Sequence, residues 1–494
     1  MQLRGVLALG ALFALALALR LEGLDRFRLT GDVLHPYIEA LRWLRGVREP
    51  WDLTGTGSSV RFGYGTWLGV VPLVAWADGL RELLTANVVV HTSGVLACGL
   101  AGRALRGWGA GLVAAGLFAV CPLLIDQPRQ GAWTYQAPVA VAFAAWTAAR
   151  LPRWRARFGV LLAAGVLLHP YAGAVVLGAL AFLPSAGRRA VLAGTLVLSP
   201  MVVDNVHNAW LRLQMGEGAP GEVASIGLWE AGPAVWDAWW QGLSPIRGDA
   251  AWAATGAMAL GLFAFRTRPR FAAWTVASVI GLVGVAAVLG YVQPYHVAVV
   301  LPLVFVAVGV GLASLPTALR WLAYAAAAGA LVWAVQLERE EVRLARASAA
   351  TLGAVERLSA EIQRDAGSGP RVLAGLADRQ TAEVCTKAVL LDQWLAGVPD
   401  AAFVVAGEAR AYVVAGLPAS DWPERPTPLY AWSAGAHYEL LAFDDLAQGA
   451  AWWAELCDRP GTYRESSSEG AGGVAAGRAP LTGPVATWSR CPQD

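Results

Sequence analysis

Asp32 and His169 are the side chains of this 494-residue chain best placed to do chemistry. Asp32 opens the run GDVLHPYIEALRWL (31–44), just beyond the first apolar segment. A carboxylate in that position suits a general base that takes the proton from an attacking hydroxyl. It suits equally the start of an amphipathic helix, where an acid caps free amides and complements the helix dipole. The two roles are compatible, because a cap fixes the side chain's position. His35 and Glu39, at i+3 and i+7, share the helical face of Asp32. His35 suits orienting Asp32 or contacting a phosphate, and Tyr37 lies between them. The spacing of Asp32, His35 and Glu39 matches no metal-ligand pattern, and neither a metal nor a cofactor is expected.

His169, in LLHPYAG (167–173), separates two short apolar stretches and is followed by Tyr171. An ionisable residue at the end of an apolar segment is a functional candidate; the other reading is a break residue facing interfacial water. His296, in YVQPYHVAVVLP (291–302), stands at another such end. Arg61, Arg129, Arg212 and Arg247 lie in connecting segments, where a guanidinium suits a phosphate or diphosphate, or a phospholipid.

The elements that must position these groups are membrane helices. The chain is 56% hydrophobic and 15% charged, with a mean hydropathy of +0.48; soluble domains carry roughly 25% charge. The net charge is +2, Lys387 is the sole lysine, and no basic tract suggests nucleic acid. Apolar segments at 5–19, 86–102, 109–125, 137–149, 158–168, 171–183, 190–203, 251–265, 272–291, 296–313 and 317–336 give about eleven membrane helices, the first retained rather than cleaved. The stretch 68–77 is too short to span and reads as interfacial. Segments 158–168 and 171–183, split by His169-Pro170, read as a re-entrant or thinned hairpin.

Arg4 and the loops bearing Arg103/Arg106, Arg150/Arg153/Arg155/Arg157, Arg188/Arg189 and Arg266/Arg268/Arg270 fall on one face when the helices alternate, which makes that face cytoplasmic. Long loops 20–85 and 204–250, and everything after 337, are then extracytoplasmic, Asp32 included. IEALRWLRG (38–46) reads as an amphipathic helix on the outer leaflet. Residues 337–494 are more polar. Strands at RVLAGLAD (371–378) and AAFVVAGEARAYVVAG (401–416), with a helix at TAEVCTKAVLLDQWLAG (381–397), predict a small α/β domain. The domains are therefore a transmembrane domain, 1–336, and an extracytoplasmic domain, 337–494. Cys385, Cys457 and Cys491 allow one disulfide there, Cys457–Cys491 being the preferred pair.

The order of features resembles the GT-C glycosyltransferase superfamily, in the family 39-like branch of protein O-mannosyltransferases and aminoarabinose transferases. GDVLHPYIEALRWL looks like that branch's acidic loop motif. QPRQGAWTYQAPVAVAFAAWTAAR (127–150) is similar to its next outer loop, RFGVLLAAGVLLHPYAGAVVLGALAFL (157–183) to its short hairpin, and YVQPYHVAVVLPLVFVAVG (291–309) to its Arg-Tyr…Pro…Pro helix. The likeness covers about residues 1–335. It implies a GT-C-like polytopic α-helical fold and an inverting transfer of a sugar from a polyprenyl-phosphate donor. The acceptor would be a glycan, lipid or protein, met at the extracytoplasmic face of a bacterial-type inner membrane. Asp32 matches the catalytic base, His169 the hairpin-tip cation near the donor phosphate, and Arg129 the second-loop arginine. His35, Tyr37, Arg61, Tyr171 and His296 complete the expected substrate contacts. Val33 departs from the motif's paired acids, and His169 stands where the family has Lys, so that charge there depends on pH.

Two other functions fit an outer-facing membrane protein. A lipid-linked oligosaccharide polymerase or ligase would depend on outer arginines rather than on Asp32. A non-enzymatic scaffold or transporter would need no acid at position 32. The topology itself is open to direct test: in intact cells an impermeant thiol reagent should label Arg410→Cys and spare Arg155→Cys, and the reverse pattern would refute the assignment.

Overall fold

Helices account for most of the described residues in the computed structural model. It describes residues 2–26, 29, 31–44, 64–131, 136–150, 154–197, 228–243, 261–289, 292–344, 351–366, 371–376, 410–415, 428, 430–433 and 437–443, with 388–389, 391–393, 395–396, 448 and 451–452. Arg61, Arg212, Arg247, Cys385, Cys457 and Cys491 lie outside the described residues. Two compact units are present, and neither is continuous in sequence. One comprises Met1–Glu22, Leu53–Leu68 and Ala86–Leu344; the other Gly23–Asp52, Gly69–Thr85 and Ala345–Asp494. Residues 23–52 and 69–85, expected with the transmembrane domain, thus group with the C-terminal residues.

In the first unit the helices are α1 (Gln2–Leu21), the greater part of α4 (Leu80–Arg106), α5 (Trp108–Val120), α6 (Pro122–Arg129), α7 (Ala137–Ala148), α8 (Arg155–Leu168), α9 (Gly173–Phe182), α10 (Ser185–Val197), α11 (Leu228–Leu243), α12 (Pro269–Leu289), α13 (Leu301–Ala313) and α14 (Thr317–Leu344). Five described helices are long and apolar enough to cross a membrane: Gln2–Leu21, Leu80–Arg106, Pro269–Val288, Pro294–Ala313 and Thr317–Leu337. A bent pair, α5 with α6, makes a sixth if counted as one span, and Ala137–Ala148 and Pro170–Phe182 are shorter apolar helices. The expected segments 190–203 and 251–265 lie partly outside the described residues. Outward faces are apolar: Ile280 and Val288 are 65% and 86% exposed, tolerable only against acyl chains.

The segment expected as one span at 109–125 breaks instead. Pro122 has no amide hydrogen to continue the ladder, Cys121 is extended, and α6 leaves at 51°. The expected break at His169-Pro170 is present. His169 ends α8, a 3-10 turn covers Pro170–Ala172, and α9 begins at Gly173. At the centre, every residue of α13 is buried. It packs on α5 at backbone distance, since a Cβ on Gly309 would stand 2.3 Å from the Ala110 carbonyl oxygen. Close approach of this kind replaces the hydrophobic drive that lipid removes.

The second unit holds α2 (Gly31–Leu44), α15 (Leu352–Ala366) and a four-stranded sheet of order β1-β2-β4-β3. β1 (Arg371–Leu376) and β2 (Arg410–Ala415) pair in parallel, as the expected crossover helix requires, and the described residues from 388 to 395 are helical. β4 (His437–Phe443) pairs antiparallel with β2 and with β3 (Tyr430–Ser433), a hairpin the sequence reading did not contain. Arg81 joins Asp25 at 2.7 Å and Glu356 at 2.6 Å, and the Leu80 amide donates to Asp392 at 2.9 Å. The start of α4 and the turn after α1 are thereby fastened to the C-terminal segment.

Gly309→Val should lower the stability of the detergent-purified protein by about 1–3 kcal/mol through overpacking. Thermal unfolding indistinguishable from the parent would show that α5 and α13 do not meet at backbone distance.

Candidate functional site

Two buried arginines hold the helix ends of the first unit. The Arg20 guanidinium donates to the Phe118 and Ala119 carbonyls at 3.0 and 3.1 Å, where α5 runs out of intrahelical donors. Arg129 returns the interaction. It donates to the Leu19 and Arg20 carbonyls at the end of α1, the latter at 3.4 Å, and pairs with Asp126 at 3.1 Å. Each cation thus meets the negative end of a helix dipole. Sequence reading offered Arg129 a phosphate, a diphosphate or a phospholipid. In the described geometry both arginines hold α1 against α5 and α6.

Beside this lies a polar layer. The Gln136 side-chain amide donates to the Asn87 carbonyl at 3.0 Å and to Asn87 Oδ1 at 2.6 Å, and Asn87 donates to the Pro128 carbonyl at 3.3 Å. Gln127 donates to the Tyr295 carbonyl at 3.3 Å. These bonds tie α4, α6 and α7 to the 3-10 segment Pro294–Val300, which also packs against the hairpin turn at 170–172. Asn87 and His91 are buried polar residues within a span that the sequence reading treated as plainly apolar. A polar residue inside an apolar run was the available signal.

The hairpin turn and the 294–300 segment bring His169, Tyr171, Tyr295 and His296 together, the histidines and Tyr171 being buried. The two imidazole centroids are 5.0 Å apart. Tyr171 stacks on His296 at 4.0 Å, and Tyr295 stands edge-on to His296 at 4.3 Å. Each histidine also caps its own turn. His169 Nδ1 accepts the Tyr171 amide at 3.3 Å, and His296 Nδ1 accepts the Gln293 amide at 2.9 Å. A nitrogen that accepts carries no hydrogen, so in both neutral rings the proton is on Nε2. Each ring is thus fixed in orientation by the backbone amide that its Nδ1 accepts.

Asp32, His35 and Tyr37 belong to α2 in the second unit. Asp32 is the second residue of that helix, within its first turn. By helical spacing positions 32, 35 and 39 share one face, and the buried positions 34, 38 and 41 share another. Tyr37 is fully buried, which raises its phenol pKa and keeps it neutral. The side chains of Asp32, His35 and Glu39 lie outside the described residues. Among the described residues no group of three or more His, Cys, Asp or Glu side chains is arranged to hold a metal.

No family model and no curated protein sequence matches the chain. Among solved structures it is similar to ArnT from Cupriavidus metallidurans bound to undecaprenyl phosphate. The TM-score is 0.51 at 15% identity, over 87% of this chain and 97% of that one. The apo state of the same protein aligns over equal shares at 16% identity, with a TM-score of 0.47. At this identity the likeness is one of fold: the chain shares the helical architecture of that protein.

Arg129→Met should cost about 3–5 kcal/mol, because it strips two helix-end carbonyls and Asp126 of their partner. Asp126→Asn, which keeps an acceptor for Arg129, should cost much less. Unchanged melting of the purified Arg129→Met protein would contradict the capping role.

Proposed function

We propose that the chain is a lipid-linked-sugar glycosyltransferase of the GT-C type, acting at the extracytoplasmic face of a bacterial-type inner membrane. The observation that carries this reading is the packing of two buried histidines, His169 and His296, against each other in a fold shared with a protein solved with undecaprenyl phosphate bound. A polyprenyl-phosphate sugar is the donor class. Its phosphate oxygens would accept from the two Nε2–H groups, with Tyr171 and Tyr295 setting the ring orientations. Donors in a water-poor layer act more strongly on developing charge than they would in water.

In the reaction the acceptor hydroxyl oxygen attacks the anomeric carbon, and the bond from that carbon to the phosphate oxygen breaks. Inversion follows from attack opposite the leaving group. The polyprenyl phosphate departs as a stable anion, so protonation of the leaving group contributes little. The hydroxyl becomes acidic as its new bond forms, and Asp32 takes the proton. Position 32 lies in the first turn of α2, where an acid complements the helix dipole. A late proton acceptor of this kind is worth about 10²–10⁴-fold in rate. The chemistry requires no metal, consistent with the single acid of the motif.

Asp32→Asn keeps size and most capping ability. It should be expressed and folded normally, with transfer from a polyprenyl-phosphate sugar reduced at least about a hundredfold. Near-parental transfer would leave Asp32 as a helix cap and favour a polymerase, ligase or scaffold. His296→Phe keeps the stack on Tyr171 but removes Nε2–H. It should raise the donor KM roughly tenfold, the worth of one hydrogen bond to a charged group, and lower the melting temperature only by the loss of the Nδ1 cap on the Gln293 amide, worth about 1 kcal/mol. An unchanged KM would remove His296 from the donor site.

A further inference from the structure

A second feature of the first unit is independent of the catalytic proposal. Between Asp126 and Asp204 the sequence has seven arginines and no aspartate or glutamate. Six of the seven lie at 150–157 and 188–189; of these Arg150 follows α7, Arg155 and Arg157 open α8, and Arg188 and Arg189 lie in the first turns of α10. The starts of α8 and α10 are neighbours, because the two helices touch backbone to backbone: a Cβ on Gly159 would come 2.0 Å from the Ala190 carbonyl oxygen. Arg155 and Arg157 on one helix, and Arg188 and Arg189 on the other, are therefore within about a helical turn of that contact.

The arginines are also held. The Arg150 guanidinium lies over two indoles, 5.5 Å from the Trp146 ring and 5.2 Å from the Trp154 ring. Arg157 covers Trp154 at 4.8 Å, and the two indoles meet edge to face at 4.9 Å. Arg188 is fixed by donation from Nε to the Leu183 carbonyl at 2.9 Å. Arg150, Arg157 and Arg189 are exposed, and among the described residues no carboxylate pairs with them. Stacking on an indole leaves the guanidinium edge free, and that edge has the geometry to bind phosphate oxygens in pairs. Arg150, Arg157 and Arg189, held at the ends of apolar helices with no carboxylate partner among the described residues, call for an anion from their surroundings. In a bilayer the anion at that depth is a lipid headgroup.

We infer that the ends of α7, α8 and α10 form a binding site for anionic phospholipid headgroups, built on Arg150, Arg157 and Arg189 with Trp146 and Trp154 as the supporting platform. The site is distinct from the His169–His296 pair, which stands at the opposite end of α8.

The test is lipid retention by the full-length protein in nanodiscs of equal phosphatidylglycerol and phosphatidylcholine, read by native mass spectrometry after transfer to detergent. The parent should retain phosphatidylglycerol at least about tenfold over phosphatidylcholine, with the preference falling as salt rises. Arg150→Gln/Arg157→Gln should abolish most of that preference while the melting temperature holds. If the double variant melts early, Arg189→Gln, which makes no ring contact among the described residues, should show a partial loss with normal melting. Equal retention of both lipids by the parent would overturn the assignment, and so would a folded variant that keeps the parental preference.

Discussion

Every helix end buried in this fold must find partners for its last carbonyl groups, because lipid supplies none. Arg20 and Arg129 answer that requirement for α5 and α1, and much of the first unit rests on the exchange. Each guanidinium is itself fully buried, which would be costly without multiple charge-assisted bonds. The helix carbonyls and Asp126 provide them. The bend at Cys121–Pro122 is what makes this possible. It turns α6 away from the axis of α5, so Arg129 reaches back to the end of α1 while α5 ends under Arg20.

The same constraint shapes the candidate site. Short helices such as α8 and α9 would be poor spans in lipid, but here their shared turn is enclosed by protein and capped by its own histidine. The segment at 293–296 repeats the device: Gln293 and His296 cap each other reciprocally. Both histidines thus do local backbone work with Nδ1. A ring that is locked by a cap, stacked on a tyrosine and buried has little freedom left to lose when it binds a ligand, which is the condition for an effective preorganised donor.

Much of this was legible in the sequence, and the remainder was hidden for physical reasons. Apolar run lengths marked α1, α4, α12, α13 and α14, and His169-Pro170 marked the hairpin, because breaks in hydropathy and proline chemistry are local signals. Helical spacing found α2. The α5–α6 break escaped because CPLLI continues the apolar run, and composition does not register a missing amide hydrogen. The role of Arg129 escaped because its partners lie more than a hundred residues away, and a guanidinium that caps a distant helix looks in sequence like any loop cation. The β3–β4 hairpin escaped because HYELLAF reads as a strand only once a neighbour is supplied. His169 and His296 were legible one by one as ends of apolar segments; their pairing depended on the packing of two turns whose histidines are 127 residues apart (296 − 169).

The most direct test of a donor phosphate at the His169–His296 pair is photo-crosslinking with a polyprenyl phosphate carrying a diazirine next to the phosphate. The full-length protein in nanodiscs would be irradiated and the adducts mapped by mass spectrometry. Adducts on the segments 169–173 and 293–297, displaced by unlabelled polyprenyl phosphate, are the expected result. Competed adducts confined to other parts of the chain would contradict a donor site built on these two histidines.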